Sequence, residues 1–240
     1  MNISEPPLDG LAPPSGALPI ASVSDVVYRH LRERILAGMA PGQPLRLQEL
    51  ATGLGVSTTP VRVALERLTA DGLAVQTRRR GVSVAPLSLV DFKDIYAVRR
   101  GLEGTAALLG TPSITDADIA KMRAVLTQLD RVSAAAEINV DLYLTLEWEM
   151  HLTCYQASGH QRLLGEIQSY RRQAERYFRL ALGDGVNLLD DLRHQRGFCA
   201  ACTDRDPQQA ESMAQLLLDW TVERVAPLIE DMPGATVSSG

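Results

Sequence analysis

The sequence is short of several things at once. Aromatic residues make up only 5% of the 240, so any core must be built mainly from Leu, Val, Ile and Ala, a composition that suits packed helices. Three cysteines cannot make a disulfide framework and fit a reducing compartment. No apolar run approaches the roughly 18 residues of a membrane span. Met1–Pro19 has neither a basic start nor an apolar stretch, and it carries Glu5 and Asp9. No secretory signal is therefore expected, and the cytoplasm is the expected location. H-E-x-x-H, G-x-S-x-G and the P-loop are all missing. Gly53-x-Gly55 lacks the third glycine and the preceding strand of a dinucleotide loop. Cys199-Ala-Ala-Cys202 has no second pair and no βαβ context, and reads as buried small hydrophobes. No repeat of fixed period is present.

What remains is an ordinary globular balance, 45% hydrophobic and 22% charged, in a chain long enough for one large domain or two modest ones. Residues 1–20, with five prolines, read as a flexible arm. From Ser22 to Ala37 the residues Val23, Val26, Val27, Leu31 and Ile35 recur at helical spacing. A Gly/Pro turn follows, then a short helix near Leu47–Leu54 and a turn at Gly55. Thr58 or Thr59 can cap a third helix with Pro60 in its first turn, running to about Ala70. Leu73–Thr77 and Val82–Ala85 read as two short strands around the tip Arg78-Arg79-Arg80-Gly81. After Leu87 the pattern is helical throughout, with segments near 88–110, 115–136, 138–158, 161–182, 187–203 and 207–231. The stretch Ala134–Asn139 fits either a kink or a break. The fold class predicted is mainly α: a winged helix-turn-helix over 21–86 and an all-α bundle over 87–232, with a frayed tail at 233–240.

Charge is divided unevenly between these parts. The net charge is −5. Ile20–Pro86 holds nine cations, all arginine, against five acids, and is therefore +4. The arm is −2, which leaves −7 for the helical half. Arginine forks onto phosphate and onto guanine edges. In a winged helix-turn-helix the third helix enters the major groove and the wing touches phosphate, so the partner expected is double-stranded DNA. Val61, Leu65 and Leu68 should pack inward while Arg62 stays off that face, near the helix start where base edges are met. Ser57, Thr58 and Thr59 sit where hydroxyls and free backbone N–H groups meet phosphate. Arg78, Arg79 and Arg80 are candidate phosphate contacts at the tip.

The string from Leu50-Ala51 through Leu54-Gly55-Val56-Ser57-Thr58-Thr59-Pro60-Val61-Arg62-Val63-Ala64-Leu65-Glu66-Arg67-Leu68 to Asp71-Gly72-Leu73 resembles the winged-helix domain of the GntR family of bacterial transcription regulators. The resemblance implies Arg62 as a base reader, Ser57 and Thr59 as backbone contacts, and Gly81 at the wing. Two positions depart from the family pattern. Thr58 stands where arginine is frequent, which leaves out one guanine-reading fork, and Val63 stands where glutamate is frequent.

In the helical half, Glu147 and His151 are four apart, so one helix face presents a carboxylate and an imidazole together. His194 on a later helix is a candidate third ligand. Such donors suit Zn²⁺, Ni²⁺, Mn²⁺ or Fe²⁺ without choosing among them. Arg99 or Arg100 is a candidate partner for an anionic effector, though Arg99 could instead hold Glu103 in a surface pair. Tyr96-Ala97-Val98-Arg99-Arg100-Gly101-Leu102-Glu103 resembles the helix that opens the ligand-binding domain of the FadR-type (FCD) GntR subfamily, and Ser158-Gly159-His160 stands where that subfamily usually has Ser-Gly-Asn. The resemblance implies a metal site of an acidic residue, a histidine four later, and one histidine on each of the last two helices. Glu147, His151 and His194 match the first three. Near the fourth the chain reads Leu216-Leu217, so a metal-free pocket using the same residues as hydrogen-bond partners is the alternative. Arg99 is the implied pocket residue.

Together these features predict a homodimeric, effector-responsive regulator, a repressor by family habit, on an inverted-repeat operator. Its effector is a small organic acid, held with or without a metal. The rival from another class is a helical metal-dependent enzyme using Glu147, His151 and His194, for which the winged module has no use.

Overall fold

The structure, a computed structural model, describes residues 22–77, 81–183 and 188–232. The arm, the tip Arg78–Arg80 and the tail lie outside the described residues. Ser22 caps α1 (Val23–Leu36) and closes a capping box with Asp25, which satisfies two otherwise orphaned N–H groups. Val27, Tyr28, Leu31 and Ile35 face the core, while Val23 and Val26 are 54% and 51% exposed. The first turn of α1 thus projects past the elements it packs on. α2 (Leu47–Leu54) ends at Gly55, whose φ of +65° makes the left-handed turn into α3 (Thr58–Ala70). The cap position of α3 is Ser57, one residue earlier than expected, and Pro60 sits third in the helix. Both fit, because none of the first N–H groups of a helix has an intrahelical acceptor. Val61, Leu65 and Leu68 are buried as expected, at 4% exposure or less.

β1 (Ala74–Thr77) pairs antiparallel with β2 (Gly81–Val84), Ala74 opposite Val84 and Thr77 opposite Gly81. The segment before α2 joins this hairpin through Leu45 N–H to Val82 O at 2.8 Å and Val84 N–H to Gln43 O at 2.9 Å. One apolar core unites α1, α2, α3 and the hairpin.

Beyond Ser88, which caps α4 (Leu89–Gly110), all regular structure among the described residues is helical. A short 3₁₀ turn leads to α5 (Asp116–Ser133), which opens on a Thr115/Asp118 capping box. Then come α6 (Val140–Ala157), α7 (Gln161–Gly183), α8 (Leu188–Thr203) and α9 (Pro207–Glu230). The stretch 134–139 is a true break: α6 starts afresh, with the Asn139 side chain accepting from Leu142 N–H at 3.0 Å. α4 runs against α9, α7 and α6. Its last residue, Gly110, lies so close to α6 that a Cβ there would fall 2.1 Å from the Cys154 carbonyl oxygen. Two apolar cores fill the bundle, one among α4, α5, α6, α7, α8 and α9, the other joining the start of α4 to α7 and the end of α9.

The N-terminal half rests on α7. Arg172 Nε donates to Asp71 at the end of α3 at 2.9 Å, Arg32 of α1 pairs with Glu175, and Arg176 donates to the Ala85 carbonyl at 3.1 Å. The same helix carries Arg171, which turns into the bundle instead.

Candidate functional site

Two sites emerge, one on each half. On α3, Arg62 is exposed and lines a groove with Arg46, Glu49, Glu66 and Gln76 between α2, α3 and the hairpin. Arg46 and Arg67 are paired, with Glu49 at 2.8 Å and Asp25 at 2.5 Å, but no carboxylate among the described residues pairs with Arg62. Ser57 is exposed and makes no side-chain capping bond, so its hydroxyl is available to a ligand. Thr59 is exposed and Thr58 half-buried. Gly81 begins β2 at φ +73°, a left-handed geometry that suits glycine where the hairpin leaves its tip. The tip arginines themselves lie outside the described residues.

The second site is a cavity of about 310 Å³ among α4, α6, α7, α8 and α9. Arg99 and Glu147 both line it, buried at 5% and 8% exposure. Arg99 Nε donates to Glu103 Oε1 at 2.7 Å, so the expected Arg99–Glu103 pair forms, but inside the bundle. Burial opposes the charge on Arg99, and Glu103 with Tyr96 more than restores it, raising the pKa further. Glu147 Oε2 lies 2.6 Å from Arg171. Burial would raise its pKa, but Arg171, then His151 and Arg99, bring it below the ordinary value, so it is a carboxylate at neutral pH. His151 is lowered, by burial first, and is therefore neutral.

Glu147 and His151 come together as the spacing predicted, with Oε1 3.9 Å from Nε2. His194 does not join them. It is half-buried beside Trp220, ring centroids 5.7 Å apart, with Nδ1 unpaired. The residue of α8 that meets His151 is Gln195, whose Oε1 is 2.8 Å from Nε2. One residue along a helix is a turn of about 100°, and the buried stripe Leu188, Leu192, Gln195, Phe198, Cys202 runs through Gln195. Arg100, one step from Arg99, is likewise turned away and pairs with Asp219 on the surface at 3.0 Å.

The residues present do not fit the metal that the FCD resemblance implies. Both ring nitrogens of His151 are engaged, Nε2 by Gln195 and Nδ1 by Tyr155 Oη at 3.2 Å. Glu147 is already neutralised by a guanidinium, and a second guanidinium shares the cavity. Leu217, in the region where a fourth ligand was expected, is an apolar wall. Among the described residues no three His, Cys, Asp or Glu side chains gather as a ligand set.

Several site residues escaped the sequence reading. A buried chain runs from Arg99 through Glu103, Tyr155 and His151 to Gln195, Asp191 and Tyr143. Burial pushes Asp191 up to about 7. No motif marks Arg171, which sits in a helix crowded with charge. Gln195 had a signal, since the apolar period of α8 places it inward. Arg32 is also unexpected here, because it belongs to α1 and yet lines the cavity.

Comparison with known proteins agrees with this architecture. Residues 23–84 match the family of bacterial regulatory proteins called gntR, and residues 94–219 match the FCD domain. The Nta operon transcriptional regulator of Aminobacter aminovorans is 34% identical over 129 residues, 54% of this chain and 60% of that one. The chain thus aligns with less than two thirds of that relative's length. A crystal structure of a GntR-family transcriptional regulator from Pseudomonas syringae pv. tomato str. DC3000 is 28% identical, with a TM-score of 0.54 over 87% of this chain and 86% of that one. The Escherichia coli McbR/YncC structure shares the fold at a TM-score of 0.71 and 20% identity, over 87% of this chain and 99% of that one. With an FCD domain over more than half its length behind a gntR helix-turn-helix, the chain belongs to the GntR family of bacterial regulatory proteins, in the branch that carries the FCD domain.

Proposed function

We propose that this member is a transcription regulator that binds an inverted-repeat operator as a homodimer and releases it, in the manner of a repressor, when a small organic acid enters the helical cavity. The observation that carries this reading is a pairing of opposites in one chain. An exposed arginine without a carboxylate partner among the described residues stands at the start of α3, and a buried arginine lines a cavity in the bundle. Arg62 reads base edges, Ser57, Thr58 and Thr59 meet phosphate, and Arg78, Arg79 and Arg80 with Gly81 form the wing's contact. Arg99 receives the effector. α7 bears on both halves, so an effector that favours one pose of the DNA-binding head shifts operator affinity by its differential affinity for the two poses. The working compartment is the cytoplasm, where the operator is and where three free buried cysteines stay reduced.

The rival reading as a metal-dependent enzyme needs Glu147, His151 and His194 on one ion, and His194 faces Trp220 instead. The test is a gel-shift titration with the DNA upstream of the chain's own gene, alongside a thermal-shift screen of carboxylic acids. Sequence-selective binding that one stabilising acid weakens supports the proposal. Equal binding to operator and random DNA overturns it.

A further inference from the structure

The cavity holds two unmet polar demands that face the same space. The first is the end of Arg99. Its Nε is engaged by Glu103, and its guanidinium lies over the Tyr96 ring at 4.8 Å, but no acceptor among the described residues takes a hydrogen bond from its terminal Nη groups. The second is Glu147 Oε1, which accepts no hydrogen bond among the described residues and has His151 Nε2 no nearer than 3.9 Å. The other oxygen, Oε2, is taken by Arg171 Nη2 at 2.6 Å, a nitrogen that also donates to the Leu144 carbonyl at 2.9 Å. A guanidinium end and a carboxylate oxygen left without protein partners beside a cavity are placed to meet complementary groups of a ligand. Elsewhere in the same network Glu103, Tyr155, His151 and Gln195 bond to one another.

We infer that this cavity binds its ligand directly, with no metal ion, and that the ligand is a carboxylate whose own molecule also carries an N–H or O–H donor. The carboxylate meets the Nη groups of Arg99, and the donor meets Glu147 Oε1. This rests on reading the cavity as the effector site. A guanidinium end matches a carboxylate in geometry and charge. Arg171 already supplies the positive charge that an ion would bring to Glu147, and Gln195 and Tyr155 occupy the nitrogens that His151 would offer to one. Trp148, Phe178, Leu144 and Leu217 give the cavity an apolar side for part of the ligand to pack on, while Arg32, Asp141, Glu175 and Arg179 line the rest.

Three probes of matched shape test this on the full-length protein stripped with EDTA: 3-phenylpropionate, 3-phenyllactate and phenylalanine. They differ only in carrying a hydrogen, a hydroxyl or an ammonium beside the carboxylate. Calorimetry should show phenyllactate or phenylalanine binding about tenfold tighter than phenylpropionate. Whichever of the two prevails decides between a hydroxy acid and an amino acid. Glu147→Leu should close that gap, and Glu147→Gln, which keeps one acceptor, should retain part of it. The melting temperature of each variant without ligand checks that it folds. Adding Zn²⁺ or Ni²⁺ should neither raise the melting temperature nor tighten any probe. Equal binding of all three probes, no binding at about 10 mM, or a requirement for metal overturns the inference. No DNA enters these measurements, so their failure leaves the operator reading standing, and loss of operator binding leaves these results standing.

Discussion

The two halves of this molecule use the same side chain in opposite ways. In the winged helix, Arg62 is exposed, and no carboxylate among the described residues holds it. In the bundle, Arg99 is buried, and Glu103 at 2.7 Å compensates its charge. An exposed guanidinium costs the fold almost nothing and is free to meet phosphate or a base edge. A buried one depends on its partner, because losing that partner strands a charge in a poor solvent. Function on the head is thus separable from stability, whereas in the bundle the two are bound together.

That contrast is strongest at Glu103. Glu103→Ala leaves Arg99 uncompensated and Tyr155 without its acceptor, and should cost about 3–5 kcal/mol in urea unfolding. A loss below about 1 kcal/mol would mean that Arg99 relaxes into the cavity and that the halves differ less than proposed. Arg62→Ala should cost about 1–3 kcal/mol on the operator and relax its base preference, with unfolding unchanged to within about 0.5 kcal/mol. Equal weakening on operator and random DNA would remove Arg62 from the base readers.

The next effect depends on pH. Asp191 titrates near 7 in the fold because it is buried, against an ordinary value of 3.8. Its protonated form is the one the fold favours. That stabilisation is present below about pH 4 and is lost as pH rises through 7, at about 1.4 kcal/mol for each unit of raised pKa. His151, whose pKa is lowered, contributes in the opposite sense, with stability present above 6.5 and lost as pH falls. Asp191→Asn mimics the protonated form, so its stability should gain on the wild type between pH 5 and pH 8. A constant difference across that range would show that Asp191 stays in one protonation state. Smallest of all, Arg79→Ala should leave stability untouched and reduce the slope of log affinity against log salt by about one contact, ~0.9. An unchanged slope would take Arg79 off the phosphate list.

How much of this was legible varied with the distance between the residues involved. The helix-turn-helix could be followed residue by residue, because Gly55, Ser57, Pro60 and Arg62 act within two turns of chain. Even there, periodicity overstated the buried face of α1, since Val23 and Val26 belong to its stripe but project past their neighbours. In the bundle, the Glu147–His151 spacing correctly put both on one face. The step to α8 failed by a single residue, with Gln195 and not His194 opposite His151. The charge of Arg171 is neutralised across α6 and α7, at a separation no local pattern can report.

The sequence by itself determined the order of helices, the hairpin, the aliphatic character of the core and the split of charge between the winged helix and the bundle. These follow from propensity, period and counting, which act over a few residues. Only the tertiary structure decided which carboxylate meets which guanidinium in the cavity, and so whether Glu147 and His151 stand there as metal ligands or as hydrogen-bonding groups. A rotation of one residue along a packed helix changes that answer, and it is fixed by how α6, α7 and α8 seat against one another.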